Sequence, residues 1–310
     1  MDQPLVSIII LTFNHAPYID GCLRSVFGQT YTPLEVIVFD NASTDGTADR
    51  VRRSPWAAGV RLIESPRNLG CAGGNNRASR QARGAALVFL NPDTQLDEGC
   101  VAELVRPLFE RKDVGITGAK IYYPNSRRFQ HAGGIIHRNG MCAHRGEGEL
   151  DRGQFDVPAE VDYVTGAALA VRRDLFLYLR GFDEDYNPAY YEESDLCWRA
   201  RRCGYKVLYV PTAVLWHKEG AALTKWSAAF YWLNYRNRIR FLMKNYSLWR
   251  WLTWFLPQEI QWYRYREARG HRLLQLRAYG AGLAFAAGKL LRFFSISRSN
   301  RSAGGGAERG

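Results

Sequence analysis

The 310-residue sequence has no paired cysteine motif, no long apolar run and no internal repeat. Its cysteines, Cys22, Cys71, Cys100, Cys142, Cys197 and Cys203, show no CxxC spacing, which argues against a zinc ribbon or a disulfide framework and suits a reducing compartment. No stretch approaches the ~20 apolar residues of a membrane-crossing helix. The opening Met1-Asp2-Gln3-Pro4 carries no basic, apolar leader, so a cytosolic location is expected. Excess positive charge is also missing from most of the chain. Residues 221–310 hold 16 basic and 3 acidic residues, whereas residues 1–220 hold 26 and 27, so the net +12 belongs to the tail.

With 46% hydrophobic and 13% aromatic residues, the chain can bury one sizeable core plus an appendage. The β-branched run 5–11, an amphipathic stretch over 18–27 and the run 34–39 form a βαβ unit. Helices are expected near 48–53, 75–83 and 97–111, with strands at 61–64 and 85–90. This alternation predicts an α/β fold, a mostly parallel sheet flanked by helices. Beyond it the pattern predicts a polar, Gly-rich mobile loop over 138–154, strands at 161–171 and 205–210, and a helix over 192–203 closed by Gly204. The expected domains are 1–224, a helical extension over 225–296 and a disordered tail over 297–310.

Chemistry-bearing residues collect at expected strand ends. Thr12 and Asn14 follow the first strand and Asp40 ends the second, the crevice where such folds take nucleotides. Asp40 either accepts a hydrogen bond from a pyrimidine imide or merely opens the turn 41–46. The glycine-rich stretch 68–76, with Asn68, Gly70, Gly73 and Asn75, either turns diphosphate-binding N–H groups outward or is a plain tight turn. Asn91-Pro92-Asp93 follows an apolar strand, and Asp93 is the natural ligand for Mn²⁺ or Mg²⁺. His217, behind Val214-Leu215-Trp216, is a candidate second ligand, or else an ordinary core histidine. Glu192, Glu193 and Asp195 repel one another and so favour a raised carboxyl pKa, as a general base requires, or they complement a helix dipole.

Seven motifs occur in one order: Ser7 to Asn14, Asp40 to Thr47, Asn68 to Asn76, Leu90-Asn91-Pro92-Asp93, Thr165-Gly166-Ala167-Ala168, Gly181-Phe182-Asp183-Glu184 and Glu192 to Leu196. Over residues 5–245 this order resembles glycosyltransferase family 2, of the GT-A fold, and more narrowly its rhamnosyltransferase branch of bacterial surface polysaccharide synthesis. The resemblance implies inverting transfer from a nucleoside-diphosphate sugar, with dTDP-rhamnose favoured and a UDP-hexose or UDP-galactofuranose as alternatives. A catalytically weak nucleotide-sugar-binding partner of an assembly complex is a further alternative. Glu193 matches the base position, and its extra methylene over the branch's usual aspartate shares that role with Glu192. Gly166, Ala167, Glu192 and Asp195 are expected on the acceptor side, with Asp195 better placed to cap or brace its helix. Asp93 and His217 match the metal positions, and Asn91 replaces the first aspartate of the motif, leaving the ion one charge weaker.

Six of the nine tryptophans follow Lys225, among basic residues. Aromatic and apolar residues recurring at helical spacing over 226–294 read as a surface lying on an anionic membrane at the cytosolic face, where a lipid-linked acceptor would stand, or as a plain helical bundle. The same spacing argues against nucleic-acid binding.

Overall fold

The computed structural model describes residues 3–218, 226–264 and 271–303, with side chains through 288 in the last stretch. The boundary expected at 224/225 lies outside the described residues. Contacts divide the chain into two compact units, residues 1–137 with 141–227, and 138–140 with 228–310.

The first unit begins with β1 (Val6–Thr12), α1 (Ile19–Phe27), β2 (Leu34–Asp40), α2 (Thr47–Arg53), β3 (Val60–Glu64), α3 (Gly70–Ser79) and β4 (Ala86–Leu90). There follow β5 (Thr94–Leu96), α4 (Cys100–Glu110), β6 (Val114–Tyr122), β7 (Phe129–His131), β8 (Gly134–Ile136), β9 (Cys142–His144) and β10 (Ala159–Glu160). It closes with β11 (Ala168–Arg172), α5 (Arg173–Tyr178), α6 (Glu192–Arg202) and β12 (Lys206–His217). The main sheet runs β10-β12-β6-β11-β4-β1-β2-β3, with β5 paired to β12 and β7 to β6.

β1, β2, β3 and β4 are parallel, as their β-branched runs predict, while β11 lies antiparallel between β4 and β6. Burial on both faces explains why these strands read as continuous apolar runs rather than alternating ones. One core packs α1 and α4 on the sheet through Leu23, Val26, Leu104 and Leu108, and the other packs α3, α5 and α6 through Ala78, Phe176 and Cys197.

Four expectations shift. α3 begins at Gly70, so the glycine-rich stretch is mainly helix. β11 starts only at Ala168, and the residues before it form a loop. The two apolar runs near 205–210 and 214–217 are one strand, β12, whose pairing with β6 skips register between Val210 and Val214 around Pro211. The stretch expected as a loop over 138–154 contains β9, and a bridge joins Arg128 to Leu150. Gly204, at φ +87°, follows α6 as the sequence pattern requires.

The second unit holds α7 (Ala228–Asn245), α8 (Leu248–Arg250), a π-helical turn (Trp251–Phe255), α9 (Leu256–Arg264) and α10 (Arg272–Ala303). Buried Arg238 forks onto Glu259, with Nη1 2.8 Å from Oε2 and Nη2 2.6 Å from Oε1. Tyr279 and Asn139 also bond this carboxylate, so one ion pair ties α7, α9, α10 and the 138–140 turn together. Helix α10 passes the expected 296/297 boundary, and residues 304–310 lie outside the described residues. No described helix is long and apolar enough to cross a membrane.

Candidate functional site

At the carboxyl ends of β1 and β2, Thr12 and Asp40 are register partners. Asp40 Oδ2 accepts from Ser43 N at 2.9 Å, while Asp40 Oδ1 and Thr12 Oγ1 are buried with no hydrogen-bond partner among the described residues. Asn14, at φ +59°, accepts from Thr44 N at 2.8 Å and gives its own amide N–H to Ser43 Oγ at 2.9 Å. It therefore locks the loops after β1 and β2 together, beside the unsatisfied pair. A buried oxygen without a partner is costly unless a ligand completes it.

In the stretch 68–76 the protein itself takes up the first backbone amides. Leu69 N donates to Asn41 Oδ1 at 2.8 Å, Gly70 N to Asn68 Oδ1 at 2.8 Å and Cys71 N to Pro188 O at 2.7 Å. Three of the N–H groups expected to face a diphosphate, those of Leu69, Gly70 and Cys71, are thus engaged by protein at the start of α3. Gly70 sits at φ +74°, and a Cβ there would stand 2.5 Å from Asn187 Oδ1, so this glycine serves close packing and a left-handed backbone. Gly73 and half-buried Asn75 lie inside the helix. Asn76, which was not singled out for a role, bonds Phe182 at both its carboxamide N and O.

Asp93 and His217 meet. Asp93 Oδ1 lies 3.1 Å from His217 Nε2, with side-chain exposures of 5% and 8%. Asn91 Nδ2 stands 3.3 Å from the same nitrogen, and its carbonyl accepts from Thr94 Oγ1. Burial opposes the Asp93 charge, but the His217 hydrogen bond and the nearby rings of His217 and His15 outweigh it and hold the carboxyl below its usual range. Adjacent ligands of an octahedral ion with bonds of about 2.1 Å lie about 3 Å apart, so this oxygen and nitrogen have the spacing and chemistry to hold Mn²⁺ or Mg²⁺. No third His, Cys, Asp or Glu joins them as a ligand cluster among the described residues. The remaining positions would fall to water and phosphate oxygens, the usual arrangement for such ions.

Two neighbours carried no sequence signal. Gln130, on β7, accepts at Oε1 from His217 Nδ1 at 2.7 Å, a contact spanning 87 residues. His15 is buried near Asp93, Asp45 and His217, and burial lowers its pKa against the pull of those carboxylates. Beside Asp93 opens a cavity of about 670 Å³ lined also by Tyr18, Thr94, Gln95, Arg127, Trp216 and Lys218. Lys218 Nζ stands 4.8 Å above the Tyr18 ring, so the wall combines cations with aromatic surface.

Glu192 and Glu193 open α6, behind Tyr191 in the left-handed region at φ +78°. Burial raises both carboxyl pKa values, and the Glu193 charge pushes Glu192 further. Glu192 Oε2 has no hydrogen-bond partner among the described residues, and the Cys71 thiol meets this carboxyl. Gly166 N–H donates to Glu193. Ala167, buried, accepts from Asn91 N at 3.1 Å, so it supports the Asn91–Asp93 turn rather than facing solvent. Of the two roles expected for Asp195, the geometry supports the brace. It is 1% exposed, with Oδ1 bonded by Tyr186 at 3.0 Å and Oδ2 by Arg199 at 2.6 Å, so it braces its helix.

Residues 7–179 match the family model described as glycosyl transferase family 2. The chain belongs to this family. It is 33% identical over 230 residues to an uncharacterised protein of Sinorhizobium fredii, covering 71% of this chain and 25% of that one. It is 28% identical over 272 residues to N-acetylglucosaminyl-diphospho-decaprenol L-rhamnosyltransferase of Mycobacterium tuberculosis, covering 79% of this chain and 86% of the relative. Among solved structures it resembles a mannosyltransferase of Pyrobaculum calidifontis in complex with GDP-Man and Mn²⁺, at TM-score 0.59 and 22% identity over 95% of this chain and 80% of that one. The S. aureus TarS 1-349 structure with UDP-GlcNAc gives TM-score 0.62 at 17% identity, covering 89% and 80%. The family 2 fold here is thus GT-A, with helices added at the C-terminal side.

Proposed function

We propose that this family 2 glycosyltransferase is an inverting, metal-dependent enzyme that moves a sugar from a nucleoside-diphosphate donor to a hydroxyl of a lipid-linked saccharide or polysaccharide. The observation that carries the reading is the pair of half-buried carboxyls, Glu192 and Glu193, joined by two hydrogen-bonded contacts through Gly166-Ala167 to the Asn91–Asp93 turn. A base and a cation-binding carboxylate held in one framework suit displacement at an anomeric carbon.

In this mechanism the unpartnered Asp40 Oδ1 accepts the imide N–H of a uracil or thymine, beside the Thr12 hydroxyl. Asp93 and His217 would hold a divalent ion, which when bound would neutralise charge on the departing nucleoside diphosphate. The basic wall of Lys218 and Arg127 complements the same charge. The Glu192/Glu193 pair takes the acceptor hydroxyl proton while that oxygen attacks the anomeric carbon from the face opposite the diphosphate. The C–O bond to the phosphate breaks and the configuration inverts. The raised carboxyl pKa values favour this proton transfer near neutral pH.

Rhamnose from dTDP-rhamnose is the favoured donor, supported by similarity to the mycobacterial rhamnosyltransferase across most of both chains. UDP-hexose and UDP-galactofuranose are the alternatives within the same chemistry. A nucleotide-sugar-binding partner of weak activity is the second reading, and Asn91 in place of a carboxylate favours it. We also assign the enzyme a cytosolic, peripheral position. Large apolar residues Leu248, Trp249, Leu252, Leu256 and Ile260 are exposed at near four-residue spacing along α8, the π-helical turn and α9, which supports contact with an anionic membrane.

The test is thermal stabilisation by UDP, dTDP, GDP and CMP, with and without Mn²⁺, on wild type and Asp93→Ala, followed by transfer assays with a donor panel. Metal-dependent stabilisation by dTDP or UDP that vanishes in Asp93→Ala supports the reading. A folded protein stabilised by none of them overturns it.

A further inference from the structure

The Gln130 carboxamide addresses His217 twice. Its Nε2 donates to the His217 backbone carbonyl at 3.3 Å, and its Oε1 stands 2.7 Å from the His217 ring Nδ1. The first bond fixes which end of the amide faces the ring, because a carbonyl oxygen accepts and only the NH₂ end can donate to it. The ring nitrogen facing Oε1 must then carry hydrogen. In the neutral ring that leaves Nε2 with its lone pair outward, toward Asn91 Nδ2 at 3.3 Å and Asp93 Oδ1 at 3.1 Å.

With the ring neutral, the Asp93 oxygen and His217 Nε2 are two electron-rich atoms facing one another where little water reaches, and a divalent ion beside both would take the place of the proton that otherwise joins them. Gln130 is itself 3% exposed and sits on β7, whose neighbours Phe129 and His131 pair with β6 at Tyr122 and Ile121. Its side chain is thus delivered from a paired strand rather than from a mobile surface. A ligating histidine whose other ring N–H is held by a protein acceptor has its ring orientation and tautomer set before the ion arrives.

We infer that Gln130 is a positioning residue for the cation site, holding His217 in the Nδ1–H form so that Nε2 completes a divalent-ion site with Asp93. This rests on the metal-dependent reading above. It adds a residue that no motif in the sequence marks, and the Asn91 Nδ2 contact with Nε2 would have to give way to the ion, since that nitrogen has a single lone pair.

The test titrates Mn²⁺ into the full chain in the presence of dTDP, with free ion read by electron paramagnetic resonance. Gln130→Met removes both bonds, and its Mn²⁺ affinity should fall by roughly 10–100-fold. Gln130→Glu restores an acceptor for Nδ1–H and should regain most of that loss. Mg²⁺, which prefers oxygen donors, should lose less than Mn²⁺ in Gln130→Met. Wild-type affinity in Gln130→Met, or an equal loss in the Glu variant, overturns the inference.

Should Gln130→Met fail to fold, the wild type decides through ¹⁵N ring spectra with saturating Mg²⁺. His217 protonated at Nδ1 and bare at Nε2 is the expected result, and the reverse tautomer overturns it. Protein that binds dTDP but no metal sinks this inference and leaves a nucleotide-sugar site standing, whereas absence of nucleotide binding sinks the functional reading itself.

Discussion

Thr12 and Asp40 end neighbouring parallel strands as register partners, and each leaves one buried side-chain oxygen without a partner among the described residues. On the function proposed above, this hydroxyl and this carboxylate oxygen at the ends of β1 and β2 would serve as donor and acceptor for the base of the nucleotide.

Asp40→Ala should weaken dTDP and UDP binding by about 10–100-fold, the effect of losing one hydrogen bond to a charged group. Thr12→Val, nearly equal in volume, should cost about tenfold or less. Calorimetric titration of both variants with dTDP, UDP and CMP checks this. Equal loss for all three nucleotides, or none, would remove Asp40 from base recognition.

The carboxyls of Glu192 and Glu193 should set the acid limb of kcat/KM above the ordinary glutamate range, because burial raises both. Activity requires the carboxylate, so it is lost as pH falls through the raised value. Glu193→Gln should lower kcat by roughly 10²–10⁴-fold while donor binding is kept. Glu192→Gln removes the neighbouring charge and should move the acid limb to lower pH.

The same burial has a stability sign. A carboxyl whose pKa is raised on folding favours the fold only while protonated, and that contribution disappears as pH rises through the folded value. Glu192→Gln should therefore raise the melting temperature at pH 8 and leave it nearly unchanged at pH 4. A gain confined to acid pH would contradict the raised value.

Asp195 separates bracing from catalysis. Asp195→Ala strands Arg199, whose other nitrogens bond Leu179 O and Gly181 O, and should destabilise by about 3 kcal/mol. Asp195→Asn keeps the shape with a smaller loss. Denaturant unfolding beside single-turnover rates on the folded fraction reads both, and a rate collapse without loss of stability would return Asp195 to the acceptor site.

Vesicle sedimentation tests the second unit. The 310-residue chain should bind phosphatidylglycerol vesicles more than phosphatidylcholine vesicles, and Leu252→Gln with Leu256→Gln should release it without changing dTDP affinity. Binding unchanged by these substitutions, or a salt-insensitive preference, would rule out this face.

Much of the architecture was legible because its signals are local. The β-branched runs of β1, β2 and β4 state their own burial, and Gly204 marks the end of α6. The acids at 192–193 and Asp93 announced themselves by clustering and by following a strand. The start of α3 was not legible, because glycine at 70, 73 and 74 argues locally against a helix, and contacts from Asn187 and Pro188 override that preference. Nor were Gln130 and His15, ordinary polar residues whose meaning comes from a histidine far along the chain. Asp195 was read on both sides, and only its two engaged oxygens decide for the brace.

The contacts that close the start of α3 also bear on how this enzyme can be rebuilt. Asn187 packs on Gly70, Pro188 O holds Cys71 N, and Asn76 grips Phe182 at both ends of its amide. Helix α3 and the 181–191 segment leading to the Glu pair are consequently one inheritance unit. A chimaera that imports a relative's 181–198 segment to change acceptor choice should carry residues 68–76 from the same parent, since a graft of either alone brings mismatched halves of a single joint.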